Sequence, residues 1–99
     1  MPELHLPGYQ FCGPFTKLDE RLAKGQIGIN KLDALCRNHD LAYKYNKSVD
    51  KRHIHDKILQ QEAAEIYKDS SNNLSQRLNA GLISNIMFAK RRLGLGTKK

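Results

Sequence analysis

Ninety-nine residues make one domain, with room for a single helical core of modest size. Seventeen Lys and Arg against ten Asp and Glu leave a formal charge of +7, which favours an anionic partner: a phospholipid surface, nucleic acid or an acidic protein. No apolar run approaches the roughly 18 residues needed to span a bilayer, and no basic-then-apolar leader follows Met1. Nucleic acid is not expected, because zinc, helix-turn-helix and RNA-recognition signatures are all missing. Cys12 and Cys36 fit neither a zinc site nor a disulfide-dense scaffold. They read either as one bridge or as two buried thiols.

Residues 1–16 hold Pro2, Pro7, Gly8, Gly13 and Pro14, a density of breakers that rules out a helix. Interleaved Leu4, Leu6, Tyr9, Phe11 and Phe15 are too apolar for a free tail. An ordered loop of this kind either packs as plain structure or offers successive carbonyls to a hard cation. A short helical turn over Leu18–Ala23 follows, broken by Gly25 and Gly28. Asn30 is a good N-cap, and Asp33 three residues on completes a capping-box-like pair. The helix they start runs from about Lys31 to Tyr45, with Leu32, Leu35, Cys36, His39, Ala42 and Tyr43 along its apolar stripe.

Asp50 reads as the cap of a second helix over about 51–69, with Leu59, Ala63, Ile66 and Tyr67 inward. Asp56 falls on that same stripe, and a carboxylate there needs a partner, because burying it alone costs several kcal/mol. Two long helices with a short link pack antiparallel, which would let Asp56 meet His39. After a break at Ser70–Asn73 comes a third amphipathic segment with Leu74, Leu78, Leu82, Ile83, Ile86, Met87 and Ala89. It ends in a basic, glycine-dotted tail to residue 99 that reads as loosely ordered. The fold class is therefore all-α in one domain, with loop 7–16, helices near 31–45 and 51–69, and a basic C-terminal segment over 74–99.

The run D-A-L-C-R-N-H-D-L-A-Y (33–43) carries the chemistry. His39 and Asp40 sit about 100° apart on one helical turn, so one can serve as a base while the other holds a cation. A histidine held by a buried carboxylate is a general base for water. An aspartate beside a loop of carbonyls is a hard-cation site. Taken singly, His39 reads as a core histidine, Asp40 as a surface charge and Asp56 as a salt-bridge partner. The three together favour ester hydrolysis.

That run resembles the catalytic helix of secreted phospholipase A2 enzymes, and G-Y-Q-F-C-G-P (8–14) is similar to their calcium loop. The closest likeness is to the compact, cysteine-poor phospholipase A2 domain of parvovirus minor capsid proteins and related invertebrate-type domains. R-H-I-H-D-K-I-L (52–59) and N-I-M-F-A-K-R-R-L (85–93) resemble the second and C-terminal helices of that group. The resemblance implies calcium-dependent hydrolysis of the sn-2 ester of phospholipids. It implies His39 as base, Asp56 as its orienting partner, Tyr43 bonded to Asp56, and the Gly13 N–H at the oxyanion. Calcium would be held by Asp40 and the carbonyls of Phe11, Gly13 and Phe15, and Cys12 and Cys36 would be bridged. The implied partner is a membrane surface, anionic lipids preferred, with no obligate protein partner. The implied site of action is calcium-rich, endosomal or extracellular, as a free protein or within a virion. Phe15 stands where the family has glycine, which leaves a second reading, a weak or silent membrane-binding domain. Asp50 competes with Asp56 as the orienting carboxylate; Asp56 is chosen because Asp50 is accounted for as a cap.

Overall fold

Side-chain caps start each of the three long helices. Asn30 accepts from the Asp33 N–H at 2.9 Å and opens α2 (Lys31–Tyr45). Ser48 accepts from Lys51 N–H at 3.4 Å before α3 (Val49–Lys68), and Asn73 from Gln76 N–H at 2.8 Å before α4 (Leu74–Arg92). A short helix, α1 (Leu18–Ala23), precedes them. The computed structural model describes residues 3, 5–13 and 16–93, and among these there is no strand. The basic tail beyond Leu93 lies outside the described residues.

Two local expectations change. Asp50 is not the cap of α3. Ser48 takes that place, so the helix spans 49–68 rather than 51–69, and Asp50 sits in the first turn, where its charge meets the positive helix end. Asp33 closes no capping box with Asn30; its carboxylate turns instead to the N-terminal loop.

α3 packs against both α2 and α4. Both neighbours run antiparallel to it. Arg52, near the start of α3, donates to the carbonyls of Tyr43 and Asn46 at the end of α2, both at 2.9 Å. Along the other contact, Arg77 Nε donates to Tyr67 O at 2.8 Å and Ser84 Oγ to Gln60 O at 3.0 Å. Gly81 lets these helices close up, since a Cβ there would lie 2.9 Å from the Tyr67 ring. Tyr67 accordingly covers Gly81 and stays 47% exposed, although its spacing puts it on the inner stripe.

The core joins Tyr9, Phe11 and Cys12 of the loop to Leu32 and Cys36 of α2, Leu59, Ala63 and Ile66 of α3, and Ala80 and Ile83 of α4. Leu74, Leu78, Leu82 and Ile86 of the expected α4 stripe are exposed. Apolar residues occupy more of α4's circumference than one neighbour can cover. The row that packs is Gln76, Ala80, Ile83 and Met87, in which small Ala80 allows close approach. Gln76 is tolerated in that row because its Oε1 accepts from the Leu32 N–H at 3.3 Å.

Candidate active site

The N-terminal loop is organised by a carboxylate. Asp33 is fully buried, and its two oxygens accept four backbone N–H groups: Phe11 at 2.8 Å and Cys12 at 3.2 Å on Oδ1, Gln10 at 2.9 Å and Ile29 at 3.0 Å on Oδ2. Four donors and the N-terminal end of α2 together compensate a charge that has no salt-bridge partner among the described residues. The Cys12–Cys36 disulfide ties the same loop to α2 and fills the core beneath it. Gly28 completes the fastening. Its φ of +106° and the 2.9 Å that would separate a Cβ from Ala34 N both demand glycine.

Held this way, the loop turns two carbonyls to one point. Thr16 Oγ1 lies 3.2 Å from Phe11 O and 3.1 Å from Gly13 O, and His5 Nε2 is 2.8 Å from the same hydroxyl. A hydroxyl has one proton to donate, so the two carbonyl oxygens share a single neutral donor.

On the other wall, His39 Nε2 and Tyr43 OH both meet Asp56 Oδ1 at 2.6 Å. Asp56 is fully buried on α3, one turn beyond Arg52, where the antiparallel packing faces it to α2. Lys90 arrives from α4: its Nζ is 2.5 Å from Tyr43 OH, 3.2 Å from Asp56 Oδ2, and 4.7 Å from the centre of the Tyr43 ring. Arg52 covers the Tyr43 ring at 4.6 Å from its centre. Burial pushes the Asp56 carboxyl upward, but the bonds from His39 and Tyr43 and the Lys90 charge outweigh it and hold the group well below the usual range. Burial lowers the His39 pKa, and the carboxylates of Asp40 and Asp56 more than reverse that, leaving it above the ordinary 6.5. Burial and the Asp56 charge raise Tyr43, so it stays a protonated donor.

Asp40 lies between the two walls. Its Oδ1 is 4.0 Å from His39 Nδ1, and its Oδ2 is buried with no hydrogen-bond partner among the described residues. Phe11, Gly13, Thr16, His39, Asp40, Tyr43 and Lys90 all line one cleft of about 850 Å³, whose remaining surface includes Leu59, Ile83, Ile86 and Met87. The structure thus joins His39, Asp56 and Tyr43 in one network and brings Phe11, Gly13 and Asp40 to the same cleft. Phe15 lies outside the described residues.

Three further residues, Asp33, Thr16 and Lys90, belong to the arrangement and were missed from the sequence. Asp33 had a signal, since it stands three residues before Cys36 on the buried side of α2. Lys90 had one too, seven residues after Ile83 on the inner row of α4. Thr16 had none.

No curated protein and no solved structure matches this chain. A family model described as a phospholipase A2-like domain matches residues 2–86, which takes in the loop, the His39–Asp40 helix, all of α3 and most of α4. The chain belongs to the family of phospholipase A2-like domains.

Proposed function

We propose that this protein is a calcium-dependent phospholipase A2, releasing fatty acid and lysophospholipid by hydrolysis of the sn-2 ester. The observation that carries the reading is the 2.6 Å contact of His39 Nε2 with buried Asp56, which leaves Nδ1 on the side of Asp40 and the cleft. With Asp56 ionised, Nε2 holds the ring proton and donates it, so Nδ1 keeps a lone pair for a proton from water. Asp56 then stabilises the imidazolium, and His39 returns the proton to the departing glycerol oxygen. Tyr43 restricts Asp56 to that orientation. The Gly13 N–H is assigned to the developing oxyanion, a role that suits a backbone donor in the loop lining the cleft.

The residues present fit a hard cation. Asp40 Oδ2 is a buried anionic oxygen without a hydrogen-bond partner among the described residues, and the Phe11 and Gly13 carbonyls converge on one shared donor. Asp40 and those two carbonyls would hold calcium, with Phe15 contributing as the family resemblance implies. When bound, calcium would polarise the ester carbonyl and neutralise the lipid phosphate.

A lipid surface suits the mouth of the cleft. Lys44, Lys47 and Arg52 line it beside Ile86 and Met87, and exposed Phe88 and Leu93 flank Arg91 and Arg92 at the end of α4. Apolar side chains among cations favour an anionic interface, each near-surface cation contributing about 1 kcal/mol. A site with one carboxylate and a bridged Cys12–Cys36 pair suits a calcium-rich, oxidising compartment.

The test is hydrolysis of mixed phosphatidylcholine and phosphatidylglycerol vesicles, with calcium and with a chelator. Lysophospholipid and free fatty acid should appear in equal amounts and only with calcium. Vesicle binding without any product would instead make this a silent membrane-binding domain.

A further inference from the structure

Hydrolysis as described above leaves one cation in the network without a task. Lys90 lies beyond residues 2–86, the span that the family model covers. Its side chain is 21% exposed, yet the ammonium turns inward to Tyr43 and Asp56 rather than out to water. A lysine at a cleft edge normally keeps its charge in solvent and buries only its stem. Desolvating this charge needs compensation, and Asp56 supplies it.

Electrostatics shows what Lys90 supplies in return. A base waiting for a proton is neutral, so between turnovers His39 gives Asp56 a hydrogen bond and no formal charge. Tyr43 likewise gives a bond alone. Among the described residues, the formal cation in contact with the buried carboxylate in that state is Lys90. Its placement is also directional. His39 and Tyr43 both use Oδ1, while Lys90 comes nearest to Oδ2, at 3.2 Å against 3.4 Å to Oδ1. The Lys90 hydrogen bond also goes to Oδ1, making it the third donor on that oxygen, while at Oδ2, which has no hydrogen-bond partner among the described residues, the ammonium acts as a charge alone. The contact of Lys90 with Tyr43 OH at 2.5 Å closes the ring of three.

We propose that Lys90 is a positioning residue for the hydrolytic reaction: brought in by α4, its ammonium is the standing counter-charge of Asp56 and keeps Oδ1 turned to neutral His39. The proposal rests on the reading of His39 as base. A methionine at position 90 would fill much of the same space while leaving the carboxylate uncompensated, whereas an arginine would keep the charge.

The experiment has two arms. In the first, kcat and KM are measured on anionic vesicles for the parent, Lys90→Met, Lys90→Arg and Lys24→Met, the last a charge-matched change on the exposed end of α1. Lys90→Met should lose about 10–100-fold in kcat, the usual effect of removing a group that orients a functional ligand. Its KM should move no more than that of Lys24→Met, and Lys90→Arg should recover most of kcat. In the second arm, denaturation midpoints are compared for Lys90→Met in the Asp56 and the Asp56→Asn backgrounds. Lys90→Met should lower the midpoint with Asp56 present and leave it nearly unchanged with Asn, because the carboxylate it serves has gone. Lys90→Gln replaces Lys90→Met should the latter fail to fold. A parent without turnover would overturn the hydrolytic reading. Equal midpoint shifts in the two backgrounds, or a kcat loss in Lys24→Met matching that of Lys90→Met, would overturn the assignment of Lys90.

Discussion

Replacing Asp33 by alanine tests whether one side chain holds the loop in place. The carboxylate accepts from the N–H groups of Gln10, Phe11, Cys12 and Ile29 at 2.8–3.2 Å. Phe11 and Cys12 are 1% and 0% exposed, so water does not readily replace the lost acceptor there. Each buried donor left unpaired costs about 1–3 kcal/mol, giving about 2–6 kcal/mol for this pair. Gln10 and Ile29 are nearer water and add about 1–3 kcal/mol between them, at about 0.5–1.5 kcal/mol for each bond. Domains of this size have only about 5–15 kcal/mol of stability in total, so Asp33→Ala should sit close to unfolding. Asp33→Asn keeps one acceptor oxygen for two of the donors and sets an amide NH₂ against the others, and should cost roughly half as much. Asn30→Ala, which removes the cap of α2 and the Nδ2–H bond to Tyr9 OH at 3.0 Å, should cost about 1.5–2.5 kcal/mol. Guanidinium chloride denaturation followed by circular dichroism ranks the three. Calcium calorimetry on folded Asp33→Asn should show weakened binding although Asp40 is intact, because the loop carbonyls lose their anchor. An Asp33→Ala cost below about 1 kcal/mol, within the range of a single ordinary hydrogen bond, would refute the reasoning.

Removing the base in His39→Ala should reduce turnover by about 10²–10⁴-fold while the helical dichroism persists; activity within a few-fold of the parent would sink the assignment. Asp40→Asn should weaken calcium binding, itself expected at about 10⁻⁴–10⁻³ M, without altering vesicle binding, as calorimetry and vesicle sedimentation would show. In calcium-free protein the His39 imidazole should titrate above 6.5 by NMR, and Asp56→Asn should lower that midpoint. The linked stability follows in sign: the His39 contribution is present below 6.5 and lost as pH rises through its higher folded value, while that of Asp56 is present above about 3.8 and lost as pH falls towards about 2. Reducing the Cys12–Cys36 bridge, with a sequence separation of 24, should cost about 3.5 kcal/mol in the chain-entropy picture, and an unchanged denaturation midpoint would contradict it.

Local rules were enough for much of this chain. The Asn30 cap, the breakers Gly25 and Gly28, and the spacing of Leu32, Cys36 and His39 settle where α2 runs and which way its histidine points, because a helix fixes its own periodicity. The same periodicity places Asp56 inward, and a buried carboxylate must find a partner, so its meeting with His39 was legible in advance. Asp50 was harder. Ser48 and Asp50 both make acceptable caps, and local chemistry does not rank them. Three outcomes depended on tertiary packing. The Asp33 carboxylate turned to Gln10, Phe11 and Cys12 because residues more than twenty positions earlier presented unpaired N–H groups, which no local window contains. On α4 more than one row was apolar enough to bury. The fit of Ala80 and Gly81 against α3 chose the row of Gln76, Ala80 and Ile83, leaving Leu74, Leu78 and Leu82 outside. That choice carried Lys90 to Asp56 and Tyr43. A lysine in a basic run reads as a solvated charge until the rotation of its helix is known, and packing alone sets that rotation.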